Sequence, residues 1–205
     1  MSDSVTNGKP ADLVKERRRQ IFEAAARVFA AKGFHNATVN EIAQEAGLGK
    51  GTIYEYVRSK KELLFLIIEE GHALLFDKID EIEKMDIPPE EKLRRVIHIQ
   101  LHILNEYRDA ARGLMPAVEA LGHGEEDKAR MDNIFSKYSD RFGKILEEGI
   151  QAGVFRRIDG GLVMELLWIC CAHWGMSGSL QKTCCSIEDF EKKLTDLIFT
   201  GIIVR

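Results

Sequence analysis

His98 and His102 stand four residues apart in a stretch of helical periodicity, the spacing at which two imidazoles could share a metal ion. Their neighbours on the same helical stripe are Glu91, Arg95, Asn105 and Asp109, so the pair reads as part of a hydrated polar face and no metal site is assigned. The four cysteines come as two adjacent pairs, Cys170-Cys171 and Cys184-Cys185, without the separated pairs that fold around zinc. In a reducing compartment they read as buried or half-buried thiols, with redox sensing as the alternative. Cys171 and His173 are two apart and point to different sides of a helix. With no HExxH, no phosphate-cradling glycine loop and no GxSxG, the sequence assembles no catalytic site, and no cofactor is expected.

A second dense stretch is GLGKGTIYEYVRSK, from Gly47 to Lys60. On a 100° wheel Ile53 and Val57 define the buried side, which leaves Gly51, Thr52 and Glu55 outward with Tyr54 and Tyr56 on the flanks. Lys50, Thr52, Tyr54, Tyr56, Ser59 and Lys60 all carry hydrogen-bond donors suited to phosphate oxygens, and Gly51 keeps the outer face thin enough to lie against another surface. Base reading falls chiefly to Lys50, Gly51, Thr52 and Glu55, whose carboxylate can accept from cytosine N4; Asn40 and Thr38, at the start of the preceding helix, complete the DNA-facing set. The plainer alternative is two short helices of a bundle with half-buried tyrosines, and that alternative leaves the outward donors unexplained.

The elements that would position these groups are legible. VKERRRQIFEAAARVFAAKG carries Ile21, Ala25, Val28 and Phe29 at helical spacing and is ended by Gly33, with Phe34 folding back on Phe29. Thr38 followed by Glu41 is a capping box for a helix from Val39 to about Ala46. Gly47 permits a sharp reversal, Leu48 plugs the corner, and a second short helix reaches about Val57. Two helices crossing at a tight glycine turn make a helix-turn-helix. Charge agrees: Lys9 to Lys61 holds eleven Lys and Arg against six Asp and Glu, although the whole chain carries −4.

The segment ATVNEIAQEAGLGKGTIYEYVRSKKELL, with RRRQIFEAAARVFAAKGF before it, resembles the N-terminal domain of the TetR family of bacterial repressors over about Arg17 to Leu64. Gly49 replaces the usual capping residue and Val57 a frequent Phe. The resemblance implies an all-α protein in which a three-helix DNA-binding head is joined by a long helix to a helical ligand-binding and dimerisation body. The expected boundaries are a flexible 1–13, a head over 14–59 and a body over 60–205. Its implied partners are double-stranded DNA carrying a palindromic operator, a second copy of the chain, and a small-molecule effector that releases the DNA. A DNA-binding accessory protein without ligand input is the alternative.

Beyond residue 60 the patterns predict a connector helix ending before DIPPEEK, then helices over Pro89–Tyr107, Ala110–Leu121 with Pro116 as a kink, and Glu125–Ala152 after the GHG break. Asp159 caps the next helix, to about Leu180, and Ser186 with Asp189 opens the last, to about Ile203. VMELLWICCAHWGMSGSL is apolar on nearly all sides, so one side can face its own core and the other a partner. Leu166, Cys170 and Trp174 from it, with Phe190, Leu194, Leu197 and Ile198 from the last helix, are the expected dimer surface. Pro116 and the neighbouring glycines suggest imperfect packing in the middle of the body. A ligand cavity is therefore placed among Leu101, His102, Leu104, Arg112, Met115, Met131, Phe135 and Trp168, for a largely hydrophobic molecule whose one polar or acidic group meets His98, His102 or Arg112. The polar N-terminus and the lack of a membrane-length apolar run predict a cytoplasmic protein with no membrane partner.

Overall fold

The computed structural model describes residues 10–121, 124–176 and 186–203. The described chain is all-α, with helices α1 (Ala11–Asn36), α2 (Val39–Glu45), α3 (Lys50–Tyr54), α4 (Lys60–Glu83), α5 (Pro89–Glu106), α6 (Arg108–Leu121), α7 (Glu125–Gln151), α8 (Gly160–Met176) and α9 (Ile187–Ile202). It divides into two compact units, Met1–Ala73 with Asp109–Lys128, and Leu74–Arg108 with Ala129–Arg205. The expected division at residue 60 differs from this, because the first turns of α4 and all but the first residue of α6 join the head. Ala11 to Leu13 are helical and belong to α1, whereas residues 1–9 lie outside the described set.

In the first unit, Gly33 adopts φ 72°, which breaks α1 as its position predicts, but one more turn follows to Asn36. Phe34 then reaches back to Phe29 with ring centroids 5.6 Å apart. Ile21, Phe22, Ala24, Ala25 and Phe29 of α1 are buried with Ile42 and Ala43 of α2, Ile53 of α3 and Leu63 to Ile67 of α4. Polar ties fix the same elements: Gln20 donates to the Ala46 carbonyl at 2.7 Å, and Arg18 reaches Glu70 at 2.5 Å and Glu69 at 3.0 Å. Gly113 brings α6 so close to α1 that a Cβ there would lie 2.3 Å from the Phe29 carbonyl oxygen.

In the second unit, one apolar core joins the end of α4 (Leu75, Ile79, Ile82) to Leu93, Val96, Ile97 and Leu101 of α5, Tyr138, Phe142 and Ile145 of α7, and residues of α8 and α9. The Lys92 ammonium is buried yet fully engaged, at 2.9 Å from Glu148 and 3.0 Å from the Glu83 carbonyl, which ties α5 to α7 and to the C-terminal end of α4. Behind α7 the chain turns at Gly153 (φ 71°), and Phe155 pairs with Ile203 in an isolated bridge, where the Arg156 N–H donates to the Ile202 carbonyl at 2.7 Å. Asp159 accepts from the Leu162 N–H at 3.1 Å and Ser186 from the Asp189 N–H at 3.2 Å, so both expected caps open their helices. The expected end of α8 at Leu180, the pair Cys184-Cys185 and the glycine at 122 lie outside the described residues. No helix among the described residues is long and apolar enough to cross a membrane.

Candidate functional site

The head presents α3 on a short, well-determined corner. Thr38 caps α2 reciprocally: its hydroxyl accepts from the Glu41 N–H at 3.2 Å, and Glu41 accepts from the Thr38 N–H at 2.9 Å. Lys32, first, and then Thr38 hold the Glu41 carboxyl down at about 2. Gly47 takes φ 65° at the turn, a conformation that favours glycine, and the Leu48 N–H closes back on the Ala43 carbonyl at 2.8 Å. Gly49 precedes α3 without a side-chain cap.

α3 is shorter than the expected span to Val57. Regular helix stops at Tyr54, and Tyr56 and Val57 continue as a turn that bonds back to the Ile53 carbonyl at 2.9 and 3.0 Å. Because that turn keeps helical phase, Ile53 and Val57 still share the buried side. Lys50, Gly51, Tyr54 and Glu55 are exposed, Thr52 and Tyr56 are half-buried, and Lys50 lies 5.8 Å above the Tyr54 ring. Among the described residues nothing lies within 4 Å of where a Cβ on Gly51 would sit, so this face is open there.

Lys60 and Ser59, from the expected phosphate-binding set, make hydrogen bonds within the protein. Lys60 donates to the His35 carbonyl at 3.0 Å and sits 4.6 Å over the Phe34 ring, and burial lowers its pKa from the ordinary lysine value. Ser59 accepts from the Glu62 N–H at 3.1 Å and so caps α4. Both contacts lock the entry into α4. Asn40 is exposed on α2, as are Gln44, one turn further along, and Arg58 after α3. Gln44 was not singled out by the sequence reading, although its position four residues after Asn40 places both on one helical face.

The residues expected around a ligand fall in both units. Arg112 and Met115 belong to the first: Arg112 is exposed, pairs with Asp109 at 3.4 Å and borders an open depression with Arg27, Gly33 and Gly113. The others belong to the second. Leu101 is fully buried, Leu104 and Met131 are half-buried, and Phe135 meets Trp168 edge-on at 5.7 Å. Tyr138, 5.8 Å from Trp168, joins that aromatic group, and its hydroxyl donates to the side-chain carbonyl of Gln100. Burial pushes the Tyr138 phenol well above its ordinary pKa. The Gln100 amide nitrogen, in a side chain with no exposure, has no hydrogen-bond partner within the described chain. Gln100 and Tyr138 were missed, yet Gln100 stands in phase with Leu93, Val96 and Ile97, a polar residue on an apolar stripe.

The residues expected at a dimer surface split by burial. Trp174, stacked on Phe190 at 4.7 Å, and Leu194 lie in the core of the second unit; Cys170 and Ile198 are half-buried. Leu166 and Leu197 are exposed, and so are Leu162 and Ile169, which the sequence reading did not name.

Residues 21–67 match the model described as bacterial regulatory proteins, tetR family, and residues 86–174 match the tetracyclin repressor-like C-terminal domain. A Bacillus subtilis HTH-type transcriptional regulator, YfiR, of uncharacterised role, is 30% identical over 150 residues, 70% of each chain. This chain belongs to the TetR family. It is a transcriptional regulator and not an enzyme. The Bacillus subtilis fatty acid metabolism regulator protein is 29% identical over 150 residues, covering 73% of this chain and 76% of that one. The crystal structure of the Bacillus subtilis regulator FadR in complex with stearoyl-CoA superposes with a TM-score of 0.72 at 25% identity, over 90% of this chain and 98% of that one. A Saccharomonospora viridis protein in complex with choline superposes with a TM-score of 0.73 at 25% identity, over 93% and 99%. In a TetR-family chain, α2, Gly47 and α3 form the helix-turn-helix, and the second unit holds most of the C-terminal domain.

Proposed function

We propose that this TetR-family regulator is a homodimeric repressor of a palindromic operator, released from DNA by a long-chain acyl effector. The observation that carries the reading is the two-sided apolar character of α8. Val163, Met164, Leu167, Cys171 and Trp174 are buried in their own core, while Leu162, Leu166 and Ile169 on the same helix are 47–56% exposed. A helix that packs one apolar side and shows another to water is suited to a second copy. Two-fold related α3 helices would then enter successive major grooves about 34 Å apart, with Lys50, Tyr54, Arg58 and Asn40 facing DNA and Lys60 acting by fixing the start of α4.

For the effector, the aromatic group of Phe135, Tyr138 and Trp168 offers apolar surface, and the unpartnered Gln100 amide offers one donor for a carbonyl such as a thioester. The stearoyl-CoA complex of Bacillus subtilis FadR and the 29% identical fatty acid metabolism regulator protein support an acyl chain. An effector changes operator affinity only through a differential affinity for two states of the protein; α4, which contributes residues to both units, is the element through which that difference passes. In vitro selection from random duplex DNA should return an inverted repeat with half-sites one helical turn apart. A thermal-shift panel should respond to stearoyl-CoA and not to choline. Selection of single, unpaired half-sites would refute the dimeric reading, and a choline response without an acyl-CoA response would refute the effector class.

A further inference from the structure

The second unit contains a cluster that DNA binding and the acyl effector leave unused. His98 and His102 of α5 lie with ring centroids 4.2 Å apart, and Glu191 of α9, 89 residues further along the chain than His102, places its carboxylate between them. His98 Nδ1 is 3.0 Å from one Glu191 oxygen, and His102 Nε2 is 3.1 Å from the other. One nitrogen from each ring and one carboxylate oxygen all lie within 4.8 Å of one another.

We propose that His98, His102 and Glu191 bind one divalent transition-metal ion of the zinc class. Bonds of about 2.0–2.2 Å at tetrahedral angles put ligand atoms roughly 3.3 Å apart. Both nitrogens lie 3.1 Å from one and the same Glu191 oxygen, within a few tenths of an ångström of that value. The helical spacing of four supplies two imidazoles from one face, and the carboxylate comes from a separate helix, so the donor set is built by tertiary structure and not by one flexible segment. Two imidazoles with one carboxylate leave at least one coordination position for water, the arrangement of open zinc sites. Imidazole nitrogen with a single carboxylate selects this class of ion over calcium or magnesium, which require more oxygen ligands. Glu188 stands one turn before Glu191 on α9. That second carboxylate adds negative field for a dication. His98 is half exposed, which gives the ion a direct path from solvent.

The test uses the full untagged chain, stripped with a chelator and dialysed, titrated with Co²⁺ and then Zn²⁺. The expected result is one equivalent of Co²⁺ per chain, with visible d–d absorption stronger than that of the aqueous ion, bleached stoichiometrically by Zn²⁺. Zn²⁺ should raise the Tm of the wild type. His102→Ala and Glu191→Gln should each weaken Zn²⁺ binding at least tenfold, with metal-free far-UV circular dichroism unchanged because all three side chains are at least partly exposed. A Co²⁺ spectrum identical to the aqueous ion, or stoichiometric binding retained in the His98→Ala/His102→Ala double variant, would overturn the assignment.

Discussion

At the scale of single residues, Gly51 and Gly113 separate function from packing. A Cβ on Gly113 would meet the Phe29 carbonyl oxygen at 2.3 Å, so Gly113→Ala must push α6 from α1 and should cost about 1–3 kcal/mol in urea unfolding. A Cβ on Gly51 meets nothing within 4 Å among the described residues, so Gly51→Ala should leave stability equal or raise it by up to about 1 kcal/mol while weakening operator binding, as a methyl intrudes where DNA must approach. A Gly51→Ala protein that binds DNA as tightly as the wild type would remove α3 from the groove. Glu41 gives a pH signature. Its folded-state pKa of about 2 is depressed below the ordinary 4.5, so its contribution is present above pH 4.5 and is lost as pH falls through about 2. Unfolding titrations from pH 5 to pH 2.5 should show a loss in the wild type that is smaller in Glu41→Gln. Lys60 shows where residue-level reading from sequence stops: its donors suit phosphate, but the carbonyl that accepts from it belongs to His35, 25 residues away, and no local pattern announces that contact.

At the scale of elements, the helix ends were legible because their signals are local. The capping box at Thr38, the turn at Gly47 and the caps at Asp159 and Ser186 each act within three or four residues. Thr38→Ala should therefore cost about 1 kcal/mol of stability, read by thermal or urea unfolding. The end of α3 was less legible, since Glu55 to Val57 keep helical phase in a turn that a wheel cannot tell from helix. The polar content of the core was hidden for another reason. Tyr138 reads as one more aromatic on α7, and only packing brings its hydroxyl to Gln100, 38 residues earlier. Tyr138→Phe should leave the buried Gln100 side chain without that donor and cost about 1–3 kcal/mol in urea unfolding. A change below a few tenths would mean that water already serves the site. The carboxylate of Glu191 beside His98 and His102 was concealed in the same way, by separation along the chain.

At the scale of the whole molecule, the sequence marked α8 as two-sided but could not sort its residues. Trp174, Phe190 and Leu194 were expected outside and lie in the core, because a stacked ring pair closes α8 against α9. Among the described residues of α8 and α9, Leu162, Leu166, Ile169 and Leu197 are large apolar side chains exposed to water. Leu166→Glu combined with Ile169→Glu should yield a monomer in sedimentation with an unaltered helical spectrum, and should weaken operator binding by orders of magnitude as the second half-site is lost. The central claim, that this regulator leaves DNA when an acyl effector binds, is tested most directly by fluorescence anisotropy of the selected operator duplex, held at a protein concentration that saturates it, as stearoyl-CoA is added. A repressor released by acyl-CoA gives a saturable fall of the anisotropy towards the free-duplex value, its extent set by a 5- to 150-fold weakening of operator affinity, and the same fold weakening of acyl-CoA binding when operator is present. Anisotropy that holds at the bound value through saturating acyl-CoA, under conditions where the ligand is bound, would contradict it.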